Sequence, residues 1–134
     1  MYYKDDKLRV LFLDDNPVRH QLFRKWLSNA DHCFTYEECV KLLSLTRYDV
    51  ASLDHDLSET DEMCLPGVNN KARTGTDIAE FIARQANRPK LVVVHSFNPV
   101  GAQTMCAILS RVGVGALRVP FGFDPKIYTS LEIK

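Results

Sequence analysis

The stretch Val10-Leu11-Phe12-Leu13-Asp14-Asp15 joins a short apolar run to two adjacent carboxylates. The same change from apolar to polar residues occurs at residues 50–56 (VASLDHD), 91–96 (LVVVHS) and 116–121 (ALRVPF). Short continuous apolar runs rich in β-branched residues are typical of parallel strands that are buried on both faces. The carboxyl ends of such strands form one edge of a sheet, where ligands bind. We therefore expect the polar groups that follow these runs to meet at one site.

Helical patterns lie between the apolar runs. A first helix is predicted over residues 17–29, with Asn16 as its N-cap and Pro17 at its first position. A second helix follows Thr35, which forms a predicted capping box with Glu38. Two further helices are predicted over residues 76–87 and 101–112, and Cys33-Phe34 is a weaker strand candidate. The predicted strands are residues 8–13, 50–53, 91–94 and 116–119, together with that weaker one.

Alternating strands and helices favour a parallel sheet with helices on both faces. We expect one domain over residues 1–134, since this length suits a single core. Residues 57–74 are long for a loop in such a domain, and loops of that length are usually functional or disordered. A short helix that begins near Asp124 and Pro125 and includes Tyr128 and Leu131 is the expectation for the tail.

Composition excludes several classes of partner. The chain has 17 basic and 17 acidic residues, so it lacks the basic surface expected of a protein that binds long duplex nucleic acid. It has no apolar stretch of membrane-spanning length and no signal-peptide core near its first residues, so we expect a cytoplasmic protein without a membrane partner. Four cysteines lack metal-site spacing and are expected to be free thiols: Cys33, Cys39, Cys64 and Cys106.

Carboxylates at two predicted strand ends indicate a metal site. Asp14 and Asp15 are adjacent, and two neighbouring carboxylates repel unless a cation compensates. Asp54 is predicted to be a metal ligand or a nucleophile, and Asp56 shares its face if the chain stays extended. The alternatives are that Asp15 caps the first helix and that Asp56 is a turn or cap residue. Oxygen ligands favour Mg²⁺, and Mn²⁺ is the alternative if an imidazole joins them.

Two histidines at the same edge suggest proton transfer. His55 lies between the two carboxylates of its strand end, and His95 precedes Ser96. An imidazole titrates near neutral pH, which suits general acid–base catalysis. We expect His55, His95, Asp54 and Ser96 to be catalytic, the alternative for His95 being a core histidine. His20 and His32 are expected to be structural or exposed.

Two helix starts are candidates for phosphate binding. Asn98 and Gly101 lie where the helix after His95 begins, and N–H groups at a helix N-terminus can hold an anion. Arg73 and Thr74 are candidates for a second anion cradle at the preceding helix. The alternatives are that Asn98 is only an N-cap and that Arg73 is a solvated loop charge.

The pattern resembles the receiver domains of bacterial response regulators over nearly the whole chain. Asp14 and Asp15 match the acidic pair after that family's first strand, Asp54 its phosphoacceptor, and Ser96 its Thr or Ser after the fourth strand. The resemblance implies an α/β, three-layer flavodoxin-like sandwich around a five-stranded parallel sheet in the order 2-1-3-4-5. The family has Lys-Pro-Phe after its fifth strand, whereas this chain has Val119-Pro120-Phe121. Since neighbouring strand residues face opposite sides, Arg118 is a poor substitute for that lysine.

Three segments resemble a divergent branch, the cyclic-phosphate-processing receiver domains. They are residues 52–57 (SLDHDL), 74–79 (TGTDIA) and 95–105 (HSFNPVGAQTM). The resemblance implies a metal-dependent phosphoesterase that hydrolyses a cyclic nucleotide or a 2′,3′-cyclic phosphate end. Its expected partner is a phosphorylated small molecule or an RNA end, and homo-oligomerisation is left open. The alternatives are a non-catalytic receiver-like module for signalling or nucleotide binding, and a protein that sequesters a cyclic messenger.

Overall fold

Five parallel strands form the centre of the protein, for which a computed structural model describes residues 8–57 and 73–119. The strands are β1 (Val10–Leu13), β2 (Asp31–Cys33), β3 (Val50–Leu53), β4 (Leu91–Val94) and β5 (Gly115–Arg118). They pair in the order β2-β1-β3-β4-β5. The predicted sheet and its 2-1-3-4-5 order are confirmed.

Four helices connect these strands: α1 (Pro17–Trp26), α2 (Tyr36–Leu45), α3 (Gly75–Arg84) and α4 (Pro99–Arg111). Asn16 caps α1 by accepting the N–H of Val18, as its sequence position predicted. Asn98 caps α4 by accepting the N–H of Gly101, which confirms the N-cap alternative for Asn98, and α4 begins at Pro99, two residues before the predicted start at residue 101.

The predicted capping box of α2 is half formed. Thr35 accepts the N–H of Glu38 at 3.1 Å, but the Glu38 carboxylate accepts the N–H of Phe34 and not that of Thr35. A complete capping box occurs instead at α3, where Thr74 and Asp77 satisfy each other's backbone N–H groups.

Several predicted boundaries were wrong by a few residues. α1 ends at Trp26 and not at residue 29, because Leu27 is extended and the next residues are turn formers. α3 covers Gly75–Arg84 and not residues 76–87, since Gln85 is extended. β2 is Asp31–Cys33 and not residues 33–34; β1 begins at Val10 and not at residue 8, and β5 is shifted by one residue.

Strand alternation divides the core into two layers. One cluster, built on Leu11, Leu13, Ala51, Leu53, Val92 and Val94, contacts α2, α3 and α4. The other, built on Val10, Phe12, Val50 and Val93, contacts α1 through Phe23 and Leu27. The opposite side of α1, with Val18 and Leu22, is exposed. Helices therefore cover both faces of the sheet, as predicted.

Three cysteines within the described residues are free: Cys33, Cys39 and Cys106. Among the helices that the structure describes, none has the length and apolar character needed to cross a membrane. The predicted long loop at residues 57–74, Cys64 and the tail helix with Tyr128 and Leu131 fall largely or wholly outside the described residues.

Candidate functional site

The site lies where β1, β3 and β4 end, on the side of the sheet that α1 covers. Side chains alternate along each strand, so the last residue of each strand faces away from α1 and the next residue faces toward it. β1 and β3 are paired so that Leu13 is opposite Leu53, and β4 continues this register with Val94. The residues that follow these three are Asp14, Asp54 and His95, and all three are buried. The structure therefore brings together three sequence-predicted site residues from three strand ends.

Asp14 is fully buried and its oxygens are already well satisfied. Oδ1 accepts the N–H of Asn16 at 2.8 Å, and Oδ2 accepts Nε2–H of His95 at 2.9 Å. Burial alone would raise the pKa of Asp14, but these hydrogen bonds, the His95 ring and the Arg19 charge together lower it. Asp14 is thus held as a carboxylate.

His95 lies beneath Asp14, with no exposed surface. Its Nε2 must donate to the Asp14 carboxylate, so its Nδ1 accepts the hydroxyl of Ser52 at 2.8 Å. This neutral tautomer agrees with burial, which lowers the pKa of His95. Its ring also stacks on Phe12, with centroids 4.8 Å apart. The geometry favours a positioning role for His95 over the predicted role as acid or base.

Asp54 sits beside Asp14 and is 4% exposed. Its Oδ1 accepts the N–H of His55 at 2.9 Å. Burial and the neighbouring Asp14 charge raise the pKa of Asp54 to about 7. Two carboxylates in this setting form a strongly negative, poorly solvated pair, which is the environment that a cation stabilises.

Arg19 bridges these two carboxylates, and sequence analysis missed it. Its Nη1 lies 3.1 Å from Oδ2 of Asp14 and 3.7 Å from Oδ2 of Asp54. Arg19 lies one helical turn before Phe23, which packs against the sheet. That spacing was the available signal, because it puts Arg19 on the inner side of α1 near the strand ends.

An open cleft of about 180 Å³ lies next to Asp54 and Arg19. The described residues that line it are Asp15, Arg19, Asp54, Asp56, Ser96 and Phe97. Asp15, Asp56 and Ser96 were predicted site residues, whereas Phe97 was missed. The alternative that Asp15 caps α1 is wrong, since Asn16 is the cap. Phe97 is 58% exposed, and the Arg19 guanidinium lies 5.7 Å from its ring centroid.

His55 pairs with Asp56, and of these two residues Asp56 is the one that lines the cleft. His55 Nδ1 donates to Oδ1 of Asp56 at 2.8 Å, which leaves Nε2 as an acceptor facing the Thr76 hydroxyl at 3.2 Å. The Asn98 amide is 3.3 Å from the same Asp56 oxygen. Gly101 provides the space for the imidazole, since a Cβ there would lie 2.5 Å from the His55 ring.

The candidate phosphate-binding groups already have protein partners. Ser96 Oγ accepts the N–H of Asn98, and Gly101 N–H donates to the Asn98 side chain. Thr74 N–H donates to Asp77 at 2.8 Å. Arg73 Nη1 is 3.6 Å from Oδ1 of Asp77 in α3, and the Arg73 guanidinium lies over the Tyr36 ring. Of these residues, Ser96 is the one that lines the cleft.

The donor set fits a divalent cation. One ligand atom each from Asp14, Asp54 and His95 lie within 4.8 Å of one another. His95 Nε2 carries the proton donated to Asp14, so the two carboxylates are the groups that would hold the ion. Among the described residues, Asp15 and Asp56 do not join that close group, although both line the same cleft.

The family follows from comparison with known proteins. The sequence model described as the cyclic-phosphate processing receiver domain matches residues 9–111, which include Arg19 and every predicted site residue. The chain belongs to this family. Val119 follows β5 at the position where response regulators have lysine, and among the described residues Arg19 of α1 places a positive charge beside Asp14 and Asp54.

Solved receiver domains share the fold. A CheY-like response regulator receiver domain from Methylobacillus flagellatus has 15% identity and a TM-score of 0.66, with 93% of this chain and 98% of that chain covered. The receiver domain of a sensor histidine kinase from Pseudomonas aeruginosa PAO1, solved with magnesium in its active-site cleft, has 16% identity and a TM-score of 0.64, with 91% of each chain covered.

A response regulator from Burkholderia pseudomallei, solved with a phosphorylated aspartic acid and a calcium ion, is also similar to this chain. It has 16% identity and a TM-score of 0.62, with 94% of this chain and 67% of that chain covered. At these identities the likeness establishes the receiver fold. A search of curated proteins found no match.

Proposed function

We propose that this receiver domain is a metal-dependent phosphoesterase that opens a cyclic phosphate, on a cyclic nucleotide or on a 2′,3′-cyclic phosphate end. One observation carries the proposal: buried Asp54, held close to buried Asp14 by Arg19, lines an open cleft together with Asp56, which accepts Nδ1–H of His55. Opening a cyclic phosphate requires charge neutralisation at phosphorus and a group that moves one proton. Asp54 in the cleft suits the first task, and His55, which is hydrogen-bonded to the cleft residue Asp56, suits the second.

Asp14 and Asp54 would hold the divalent cation, with Asp15 nearby in the cleft. A bound cation supplies charge stabilisation on the phosphoryl oxygens and lowers the pKa of a bound water. His95 and Ser52 keep the Asp14 carboxylate in one orientation through two hydrogen bonds in series. Such positioning reduces the reorganisation that binding requires.

His55 is the proton carrier in this proposal. Asp56 accepts its Nδ1–H, which keeps the Nε2 lone pair available once the Thr76 hydroxyl turns away. Water adds its hydroxyl to phosphorus and gives its proton to Nε2. One P–O bond of the ring breaks, and His55 returns that proton to the departing oxygen. The product is a phosphomonoester, and His55 is restored. The Ser96 hydroxyl, which lines the cleft, would donate to a phosphate oxygen.

The test is turnover of a defined panel followed by mass spectrometry. The panel contains 2′,3′-cyclic nucleotides, 3′,5′-cyclic nucleotides, cyclic oligonucleotides and linear controls, each with Mg²⁺, with Mn²⁺ or with chelator. We expect one cyclic class to gain a water. Chelator and Asp54→Asn should abolish the gain, and His55→Gln should slow it by roughly 100-fold or more.

Glu80→Gln is the matched control, because it removes one carboxylate from an exposed position of α3. It should turn over like wild type. Full activity in Asp54→Asn or His55→Gln would overturn the role assigned to that residue. Absence of turnover across the panel by folded, metal-loaded protein would overturn the phosphoesterase itself.

A second candidate function is a receiver-like module that binds or accepts a phosphoryl group without turnover. The ion pairs of Arg19 with Asp14 and Asp54 favour it, because they neutralise the carboxylates when neither substrate nor metal is bound. This function predicts that acetyl phosphate adds a phosphoryl group to Asp54, or that a nucleotide binds unchanged. The same mass spectra distinguish the two candidates.

A further inference from the structure

We propose that Arg19 is the phosphate anchor of the cleft, and that it is held in reserve by Asp14 and Asp54 until a divalent cation takes its place. The inference rests on the proposed function for its ligand, a phosphate ester. It adds a residue from α1 that the strand-end pattern does not contain.

Arg19 occupies the space between the two carboxylates. One nitrogen, Nη1, is within 3.1 Å and 3.4 Å of the two Asp14 oxygens and 3.7 Å from Asp54. A cation that binds both carboxylates must therefore share or take over the negative charge that Arg19 now neutralises. Metal and guanidinium compete for the same oxygens.

Arg19 also borders solvent. Its side chain is 26% exposed, whereas that of Asp14 is fully buried. It lines the cleft and extends to within 5.7 Å of the Phe97 ring centroid. A guanidinium released from the carboxylates would still face the cleft, where its fork of N–H donors matches a phosphate.

The charges of the described residues that line the cleft suit such an anchor. Of the described residues that line it, three are acidic and Arg19 is the basic one. Val119 replaces the lysine that response regulators place after β5, and Arg118 donates its Nε–H to the Ser96 carbonyl oxygen instead. A phosphate that enters among these three carboxylates would be attracted by the bound cation and by Arg19.

Two titrations without turnover test the inference. In the first, Mn²⁺ alone is titrated into wild type and Arg19→Gln by calorimetry. We expect roughly tenfold tighter Mn²⁺ binding in the variant, since one charge-assisted contact no longer competes. In the second, inorganic phosphate is titrated into the Mn²⁺-saturated proteins. In that titration we expect Arg19→Gln to bind at least about tenfold more weakly.

Arg111→Gln is the matched control, because Arg111 is exposed in the last turn of α4. Both of its affinities should equal those of wild type. If Arg19→Gln does not fold, Arg19→Lys replaces it: with Mn²⁺ saturating, a point charge should bind phosphate more weakly than the guanidinium fork.

Unchanged or weaker Mn²⁺ binding in Arg19→Gln would overturn the competition, and unchanged phosphate affinity in the variant used would overturn the anchor. Neither titration depends on hydrolysis. A protein that shows both expected shifts but turns over nothing would retain this inference and lose the phosphoesterase proposal. A protein that hydrolyses a cyclic phosphate without either shift would retain the phosphoesterase proposal and lose this inference.

Discussion

At the scale of single residues, the buried polar series of Ser52, His95 and Asp14 defines the floor of the site. Each member has a partner that fixes its hydrogen, from the Ser52 hydroxyl through His95 to the Asp14 carboxylate. A satisfied buried network is rigid, and a network with one member removed leaves an unpaired group in a poorly solvated place. The orientation of Asp14 therefore depends on a hydroxyl in the middle of β3.

We predict that Ser52→Ala destabilises the fold. The substitution leaves Nδ1 of His95 without its donor in a fully buried position, which costs about 1–3 kcal/mol. Urea unfolding followed by circular dichroism measures the loss. Ser44→Ala, on the exposed side of α2, should change the unfolding free energy by about 0.5 kcal/mol or less. Equal losses of unfolding free energy in the two variants would contradict a stabilising role for the hydrogen bond from Ser52 to His95.

At the scale of secondary-structure elements, the close approach of α3 to the end of β3 positions Asp54 and His55. Gly75 opens α3, and its N–H donates to the His55 carbonyl oxygen at 2.8 Å. A Cβ at Gly75 would lie 2.3 Å from the Asp54 carbonyl oxygen and 2.8 Å from the Met105 side chain. The helix start and the strand end thus touch backbone to backbone.

We predict that Gly75→Ala costs about 1–3 kcal/mol of unfolding free energy, because the backbone must move to admit the methyl group. It should also weaken Mn²⁺ binding, since Asp54 would move with its backbone. Gly115→Ala is the control, because a Cβ there meets its nearest atom at an ordinary 3.5 Å. Chemical unfolding and Mn²⁺ titration of both variants are the measurements. A Gly75→Ala protein as stable as Gly115→Ala would contradict so close an approach of the helix to the strand end.

At the scale of the whole molecule, a pair of histidines, His20 of α1 and His32 of β2, connects the edge strand to the helix next to the site. His20 Nε2 donates to the Asp14 carbonyl oxygen, so His20 Nδ1 accepts from His32 Nδ1–H at 2.7 Å. His32 Nε2 is then a buried nitrogen without a partner among the described residues. Burial lowers the pKa of His32 to about 4 and also lowers that of His20. His20 is thus structural, as the sequence suggested.

This pair makes stability depend on pH. In the unfolded chain both histidines have a pKa of about 6.5, so between pH 6.5 and 4 the unfolded state binds protons that the folded state excludes. Their neutral pairing is fully favourable above that range and is lost as the pH falls. Allowing for partial exposure, we expect His32 alone to account for about 1–3 kcal/mol of that loss.

Urea unfolding of wild type and His32→Asn at a series of pH values isolates this contribution from that of the carboxylates. The variant retains an amide donor for His20 but has no group that titrates in this range. Its unfolding free energy should therefore fall less than that of wild type on acidification. Curves that stay parallel from pH 7.5 to 4.5 would contradict the assignment.

The sequence predicted the sheet and the positions of Asp14, Asp54 and Ser96 because strand ends of a parallel sheet share one edge. The spacing of Arg19 from Phe23 was a signal, but α1 also has Val18 and Leu22 on its other side, so the sequence alone did not show which side faces the sheet. His95 was predicted at the correct edge, but its full burial was not. That burial depends on which side of the sheet its side chain faces and on the hydrogen bond with Ser52. Phe97 lay in a quoted motif, yet its exposure at the rim depends on how the turn before α4 folds.

If this cleft hydrolyses a cyclic phosphate, the oxygen added to phosphorus comes from water. The most direct measurement is incubation of wild type with the active cyclic substrate and Mg²⁺ or Mn²⁺ in heavy-oxygen water, followed by mass spectrometry of both product and intact protein. We predict one heavy oxygen on the product phosphate and no change in protein mass. A phosphoryl group retained on the protein, or a cyclic substrate that stays intact while bound, would contradict the account.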